Sequence, residues 1–378
     1  MVDPDNELSR LVDELNRSVT VVKSEEKRSI DQFLTAAVQR HASDILFVSG
    51  SPATFRVNGS LVIDSGPAMS SETIRGLLIP LLTAAQLGEL KERKCMDFCF
   101  VRGTTARFRA NLHFQRGTLA AAIRLLPVQI PSLESLHLPL SLGSLTERRQ
   151  GLILLTGATG CGKSSTMAAL IDRINLSRCD HIITIEDPVE YQHLNRKSLV
   201  EQIELGYDTL SFVHAVRAVL RQDPDVILIG EMRDSETMAM ALTAAETGHL
   251  VLSSLHTNDA AQTVSRILDT FPSGFQGQIR QQLSLALMAI VSQKLVPAAS
   301  GVGRFPAVEI LLATGATRNV IRRGDDHQLR ANIEMGRAEG MQTMEQSLAD
   351  LVRSGRIARE TAFTYCNHLE DLRRHLNG

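Results

Sequence analysis

The chain has 378 residues, 43% hydrophobic and 22% charged, with 40 Lys and Arg against 42 Asp and Glu for a formal charge of −2. That balance excludes wholesale disorder and a globally basic nucleic-acid binder, and the length suits two or three domains. Aromatics make up 4% and Trp is absent, so base-stacking platforms lack material, and five scattered cysteines read as reduced thiols of a cytosolic protein.

The acidic start, Met1-Val2-Asp3-Pro4-Asp5-Asn6-Glu7, has no apolar h-region and is not read as a secretory signal. Leu8, Leu11, Val12 and Leu15 fall at helical spacing and predict a short amphipathic helix, followed by a charged linker, Ser24-Glu25-Glu26-Lys27-Arg28. From Ser29 to Pro127 the pattern is mixed α and β. A helix carrying Ile30, Phe33, Leu34, Ala37 and Val38 leads into Ile45-Leu46-Phe47-Val48, and turn signals at Ser49–Pro52 and Asn58-Gly59 punctuate a strand-rich region. Ala106-Arg107-Phe108-Arg109-Ala110-Asn111-Leu112 alternates as a half-buried strand that throws its arginines to one face. Prolines 127, 131 and 139 mark a connecting segment.

From Arg149 short apolar strands alternate with helices: Leu152–Thr156, Ile182–Ile185, Val226–Ile229 and His249–Ser253. Runs of that kind suit strands covered on both faces of a largely parallel sheet. No apolar run approaches the roughly 18 residues needed to span a bilayer, and Leu285–Val291 reads as core. Beyond Gly301 the chain is expected to be mostly helical.

Gly157-Ala158-Thr159-Gly160-Cys161-Gly162-Lys163-Ser164 matches G-x-x-x-x-G-K-[ST] between a predicted strand and a predicted helix. Glycines let backbone N–H groups turn inward on phosphate oxygens, and the helix N-terminus favours anions. Lys163 would reach the β- and γ-phosphates and the Ser164 hydroxyl would ligate Mg²⁺; Ser165 is counted with the nucleotide-binding set. Val226-Ile227-Leu228-Ile229-Gly230-Glu231 is an apolar strand that ends in a carboxylate suited to deprotonate an attacking water, or to pair with Arg233. Ile185-Glu186-Asp187-Pro188-Val189-Glu190-Tyr191 sets further carboxylates past another strand end, where outer-shell acids hold Mg²⁺-bound waters. His249 and His256 bracket Leu250–Leu255; they are of interest as flanking the same sheet edge, and are otherwise structural.

These four blocks, in this order, resemble the secretion (type II/IV) ATPase superfamily, and within it the type IV pilus retraction ATPases of the PilT/PilU family. Gly157–Ser164 is similar to that family's Walker A, Ile185–Tyr191 to its Asp box, Leu220–Asp234 to its Walker B block, and Ala244–Thr257 to its His box. The resemblance runs from about Ser29 to the C-terminal helices. It implies an α/β protein: an N-terminal extension (1–28), a PAS-like α+β domain (29–128), an interdomain linker (129–148), a RecA-like P-loop ATPase core (149–300) and a helical C-terminal region (301–378). It implies ATP and Mg²⁺ as cofactors, Glu231 acting on water, Glu186 supporting the metal and His256 sensing the γ-phosphate, with His249 in the same block. Mg²⁺ would meet Ser164 directly and Glu186 and Glu231 through water. Arg109 and Arg124 would complete the site from the N-terminal domain.

The same resemblance implies a homo-hexamer, cytoplasmic and peripheral at the inner membrane, that works on an inner-membrane pilus platform protein, with a paralogous retraction ATPase as a further partner and no nucleic acid. Cys95 and Cys99 lack a second pair, so the four-cysteine zinc insert of assembly ATPases is missing and retraction is favoured. Ala316-Thr317-Arg318-Asn319-Val320 stands for the family's Ala-Ile-Arg motif with Thr at a packing position, and Cys161 stands where Ser is common. Alkylation of Cys161 is expected to block nucleotide binding. A PilU-like accessory ATPase or a related secretion-system ATPase is the main alternative. A RecA-like nucleic-acid translocase is disfavoured by charge, and a non-hydrolysing nucleotide-binding partner by the intact loop with Glu231.

Overall fold

The structure, a computed structural model, describes residues 28–57, 59–102 and 106–377. The expected N-terminal amphipathic helix at Leu8–Leu15 lies outside the described residues. The chain divides into two compact units, Met1–Leu126 and Pro127–Gly378.

In the first unit, helix α1 (Ile30–Gln39) begins at Ser29, whose side chain and that of Gln32 form a capping box. It leads into strand β1 (Ala42–Phe47), then β2 (Thr54–Val57) and β3 (Ser60–Ile63). Helices α2 (Ser71–Leu78) and α3 (Ala84–Arg93) precede the long strands β4 (Cys95–Arg102), β5 (Ala106–Gln115) and β6 (Thr118–Leu126). The six strands form one sheet in the order β3-β2-β1-β6-β5-β4, antiparallel throughout. On β5, Phe108, Ala110 and Leu112 are buried while Arg109 and Asn111 are not, as a period of two requires of a strand with one core face. That face packs with Phe33, Leu34, Ile74, Leu78 and Leu90 of the helices.

In the second unit the strands are β7 (Gly151–Thr156), β8 (His181–Glu186), β9 (Leu199–Glu204), β10 (Val226–Ile229), β11 (Leu250–Leu255), β12 (Leu287–Pro297) and β13 (Arg304–Leu312). The helices are α4 (Lys163–Ser177), α5 (Phe212–Val219), α6 (Ser235–Glu246), α7 (Ala260–Asp269), α8 (Ser273–Ala286), α9 (Gly315–Arg323), α10 (Leu329–Met335), α11 (Met344–Arg353), α12 (Arg359–Tyr365) and α13 (Leu369–Asn377). The sheet order is β13-β12-β7-β11-β10-β8-β9, parallel except for β13. Strands β7, β10 and β11 are buried at every position, because the two faces are covered separately. Leu152 and Leu154 join a core with α5, α6, α7 and α8, whereas Ile153 and Leu155 join one with α4 and the segment Leu133–Leu145. A mixed α+β unit followed by this doubly covered parallel sheet is the expected RecA-like P-loop architecture.

One expectation is corrected. The region beyond Gly301 is not helical at its start. Gly301 and Gly303, with φ of 74° and 86°, turn the chain back, and β13 pairs antiparallel with β12 from Pro297↔Arg304 to Ala289↔Leu312. The reason is the buried run Ala307–Leu311, which completes the sheet edge. The apolar run Leu285–Val291 is core as expected apart from exposed Leu285 and half-buried Met288, and it spans the end of α8 and the start of β12.

Candidate functional site

Parallel pairing sets the site. Gly151↔Leu250 and Thr156↔Leu255 put β7 and β11 in step, and Ile229↔Ile185 does the same for β10 and β8. The loop after β7, Glu186 at the end of β8, Glu231 after β10 and His256 after β11 therefore all lie at the carboxyl edge, where parallel α/β sheets bind ligands. His249 does not. It precedes β11 at the opposite edge, where its Nδ1 lies 2.9 Å from the Ala244 carbonyl oxygen at the end of α6. Six residues of strand cover about 20 Å, so the two histidines cannot share an edge, and the sequence reading of His249 is corrected on that ground.

The loop Gly157–Gly162 is shaped by close approach. A Cβ on Gly157 (φ 134°) would lie 2.3 Å from the Gln293 carbonyl oxygen, and one on Gly162 (φ 97°) 2.7 Å from the Gln293 Nε2. Gly160 (φ 76°) has open space, as a backbone meeting phosphate should. Gly162 is the N-cap of α4, so Lys163 and Ser164 open the helix. Lys163 Nζ donates to the carbonyls of Gly157 (2.7 Å) and Ala158 (3.2 Å). Burial holds its ammonium below the usual lysine range, opposed by Cys161, Glu231 and Glu190. Cys161 is buried, and burial pushes its thiol up, both of which slow alkylation. Ser165 Oγ lies 2.8 Å from the Tyr191 hydroxyl, tying α4 to the acidic block after β8.

Glu231 pairs with Arg233, and His256 Nε2 lies 3.4 Å from its other oxygen. The carboxylate, which holds the Arg233 guanidinium above its usual range, is thus brought beside the histidine expected to sense phosphate. At Gly230 a Cβ would stand 3.3 Å from the Ile185 carbonyl oxygen, a tight contact, and 3.5 Å from Glu186 Cα, an ordinary one. The Ser254 hydroxyl holds the Gly230 carbonyl at 2.7 Å, fixing the turn that presents Glu231. Glu186 accepts from Thr184 Oγ1 (2.8 Å) and Gln202 Nε2 (3.1 Å). Burial pushes its carboxyl up and those bonds oppose the shift. Among the described residues no group of three or more His, Cys, Asp and Glu is placed to hold a metal by itself. Ser164 with one or two carboxylates suits Mg²⁺, which takes few protein ligands and completes its shell with phosphate and water.

Beside the loop, the second unit has a cavity of about 380 Å³, lined by Ala158–Cys161, Asn258, Gln293 and Tyr365 among others. Sequence reasoning missed Gln293, since a glutamine in an apolar strand carries no spacing signal. In the first unit, Arg109 on β5 stands directly opposite Arg124 on β6. Like charges so placed repel, and two acids offset this: Asp97 lies 3.6 Å from Arg109 and Asp44 2.9 Å from Arg124. In the stretch expected to be weakened by Thr, Thr317 is fully buried with its hydroxyl 3.2 Å from that of Thr314. Arg318 donates to the carbonyls of Ala313 (3.0 Å), Ser284 (2.7 Å) and Leu285.

A profile described as "Type II/IV secretion system protein" matches residues 23–362. The chain belongs to that family. Within the secretion ATPase family it is 44% identical over 328 residues to a "Twitching motility protein" of Neisseria gonorrhoeae, covering 87% of each chain. It is 40% identical over 333 residues to the "Type IV pilus retractation ATPase PilT" of Pseudomonas aeruginosa, covering 88% of this chain and 96% of that one. Among solved structures it is similar to the pilus retraction motor PilT with bound ADP, at a TM-score of 0.86 and 44% identity, covering 92% and 99% of the two chains. Among the described residues no helix is long and apolar enough to cross a membrane.

Proposed function

We propose that this protein is a Mg²⁺-dependent ATPase motor that powers type IV pilus retraction. It would act as a homo-hexamer at the cytoplasmic face of the inner membrane, on the pilus platform protein. The carrying observation is the glycine-shaped loop Gly157–Gly162 sharing one sheet edge with Glu231 and His256, in a chain whose relatives are named as retraction ATPases.

In this reading the N–H groups of Gly160–Ser164 and the Lys163 ammonium, exchanged from the Gly157 and Ala158 carbonyls, hold the β- and γ-phosphates. Mg²⁺, when bound at Ser164, neutralises phosphate charge. Glu231 orients a water and takes its proton, and Glu186 hydrogen-bonds the outer shell of the site. His256, exchanged from Glu231, reports on the terminal phosphate. Arg109 and Arg124 are assigned to charge neutralisation in the assembled enzyme, each released from its own acid.

The test is Mg²⁺-ATP turnover together with oligomeric mass for the wild type and Glu231→Gln. The variant should keep mass and nucleotide binding and lose turnover by about 10²–10⁴-fold, the usual worth of a general base. Turnover within a factor of two of wild type would remove Glu231 from the chemistry. Expression in a pilated strain lacking its retraction motor should restore twitching. Hydrolysis without restored twitching would make the protein an accessory ring.

A further inference from the structure

The loop that shapes the candidate phosphate site is held from behind by a strand far along the chain. β12 lies beside β7 with Ser292 opposite Thr156, and the two hydroxyls are 2.9 Å apart. The next residue, Gln293, is 3% exposed. Its Nε2 donates to the Cys161 carbonyl at 2.8 Å, and its Oε1 accepts from Thr166 Oγ1 at 2.9 Å, on the first turn of α4. Gly157 and Gly162 are the two loop positions where a Cβ would strike this same residue.

The chemistry of the contact is specific. A phosphate loop works when its N–H groups converge on one side, which turns carbonyls to the other side, where burial requires that they find donors. A glutamine amide carries donors on one arm and an acceptor on the other, so one side chain can satisfy a loop carbonyl and a helix hydroxyl together. Glutamate has no donor for Cys161, and methionine, of similar length, lacks a strong group for either partner.

We propose that Gln293 is a positioning residue of the phosphate-binding loop: by holding the Cys161 carbonyl outward and Thr166 in place, it pre-sets the loop for a nucleoside polyphosphate. The proposal rests on the reading of Gly157–Ser164 as a nucleotide site and adds the device that gives the loop its shape. Gln293 is reserved for orientation and does not touch the reacting atoms.

The experiment compares wild type, Gln293→Met, Gln293→Glu and Thr166→Val by binding of a fluorescent ADP and by iodoacetamide labelling of Cys161, located by peptide mass mapping. Gln293→Met should weaken ADP binding about tenfold, the worth of an unsatisfied buried carbonyl. Gln293→Glu should be no better than Met, and Thr166→Val should lose about threefold. Labelling of Cys161 should quicken in both Gln293 variants, because the loop no longer seals the thiol. Wild-type affinity and labelling rate in Gln293→Met would show that the residue only fills space and would overturn the proposal. Should Gln293→Met fail to fold, Thr166→Val decides: unchanged affinity and labelling overturn the proposal. A wild-type chain that binds no ADP would overturn the nucleotide reading instead, and the Cys161 rates would still decide whether Gln293 shapes the loop.

Discussion

Glu309 on β13 is 5% exposed and accepts from the Ala260 backbone N–H at 2.9 Å, so it caps the start of α7, the helix that follows His256. Burial pushes its carboxyl from 4.5 up to about 7; Asp259 and Glu345 add to the shift, while the Ala260 N–H and Arg330 oppose it. An acid with a higher value folded than unfolded binds a proton in the folded state that the unfolded chain has released. Stability therefore falls as pH rises from about 4.5 to about 7 and levels off above. Glu309→Gln keeps an oxygen for Ala260 and removes the titration. Its melting temperature minus that of the wild type should grow between pH 5 and pH 8, by up to about 3 kcal/mol in stability. A difference flat across that range would place the charge elsewhere. The places of Lys163 at a helix start and Glu231 at a strand end were legible in the sequence because local spacing fixes them. Glu309 and Gln293 were not, because their partners lie 49 and 132 residues away.

The same contrast holds for elements. Buried parallel strands announce themselves as apolar runs, so β7, β8, β10 and β11 were read nearly in place. β13 was missed because apolar runs that short fit a buried helix as well, and only pairing with β12 decides. His249 was misplaced although the sequence sufficed, since residues that bracket one strand lie at opposite edges of its sheet whatever the strand's direction. At the other end of the unit, Arg318 on α9 bonds the carbonyls of Ser284 and Leu285, two of the orphan acceptors that end α8. Arg318 is half-buried, and that burial holds its guanidinium below the usual arginine range. Arg318→Ala should cost roughly 1.5–3 kcal/mol, as lost hydrogen bonds to a charged group do. Arg318→Lys, with one compact head for several acceptors, should fall between. Differential scanning calorimetry checks both, and an unshifted Arg318→Ala melt would mean that water replaces the cap without loss.

At the scale of the molecule, each unit has, among the described residues, hydrophobic clusters of its own. The loop, Glu186, Glu231, His256 and Gln293 all belong to Pro127–Gly378. A fragment of those residues should therefore melt cooperatively and bind ADP within about threefold of the whole chain, which calorimetry and titration would check. A fragment without a folded baseline would show that the first unit is needed for folding. The class of both units was legible from period and motif, whereas the strand order of the sheet was not.

The span between Cys161 and Gln293 also has a meaning in time. A ribosome that has just made the phosphate loop must add another 132 residues before the glutamine behind it exists. At about 5–20 residues per second that is a wait of roughly 7–26 seconds. Through that interval the newborn chain holds a complete nucleotide signature without the strand that gives it form. On the proposed role of Gln293, a truncated product ending before β12 should carry the motif yet bind ADP more weakly than the whole chain, which titration with the same fluorescent ADP would read.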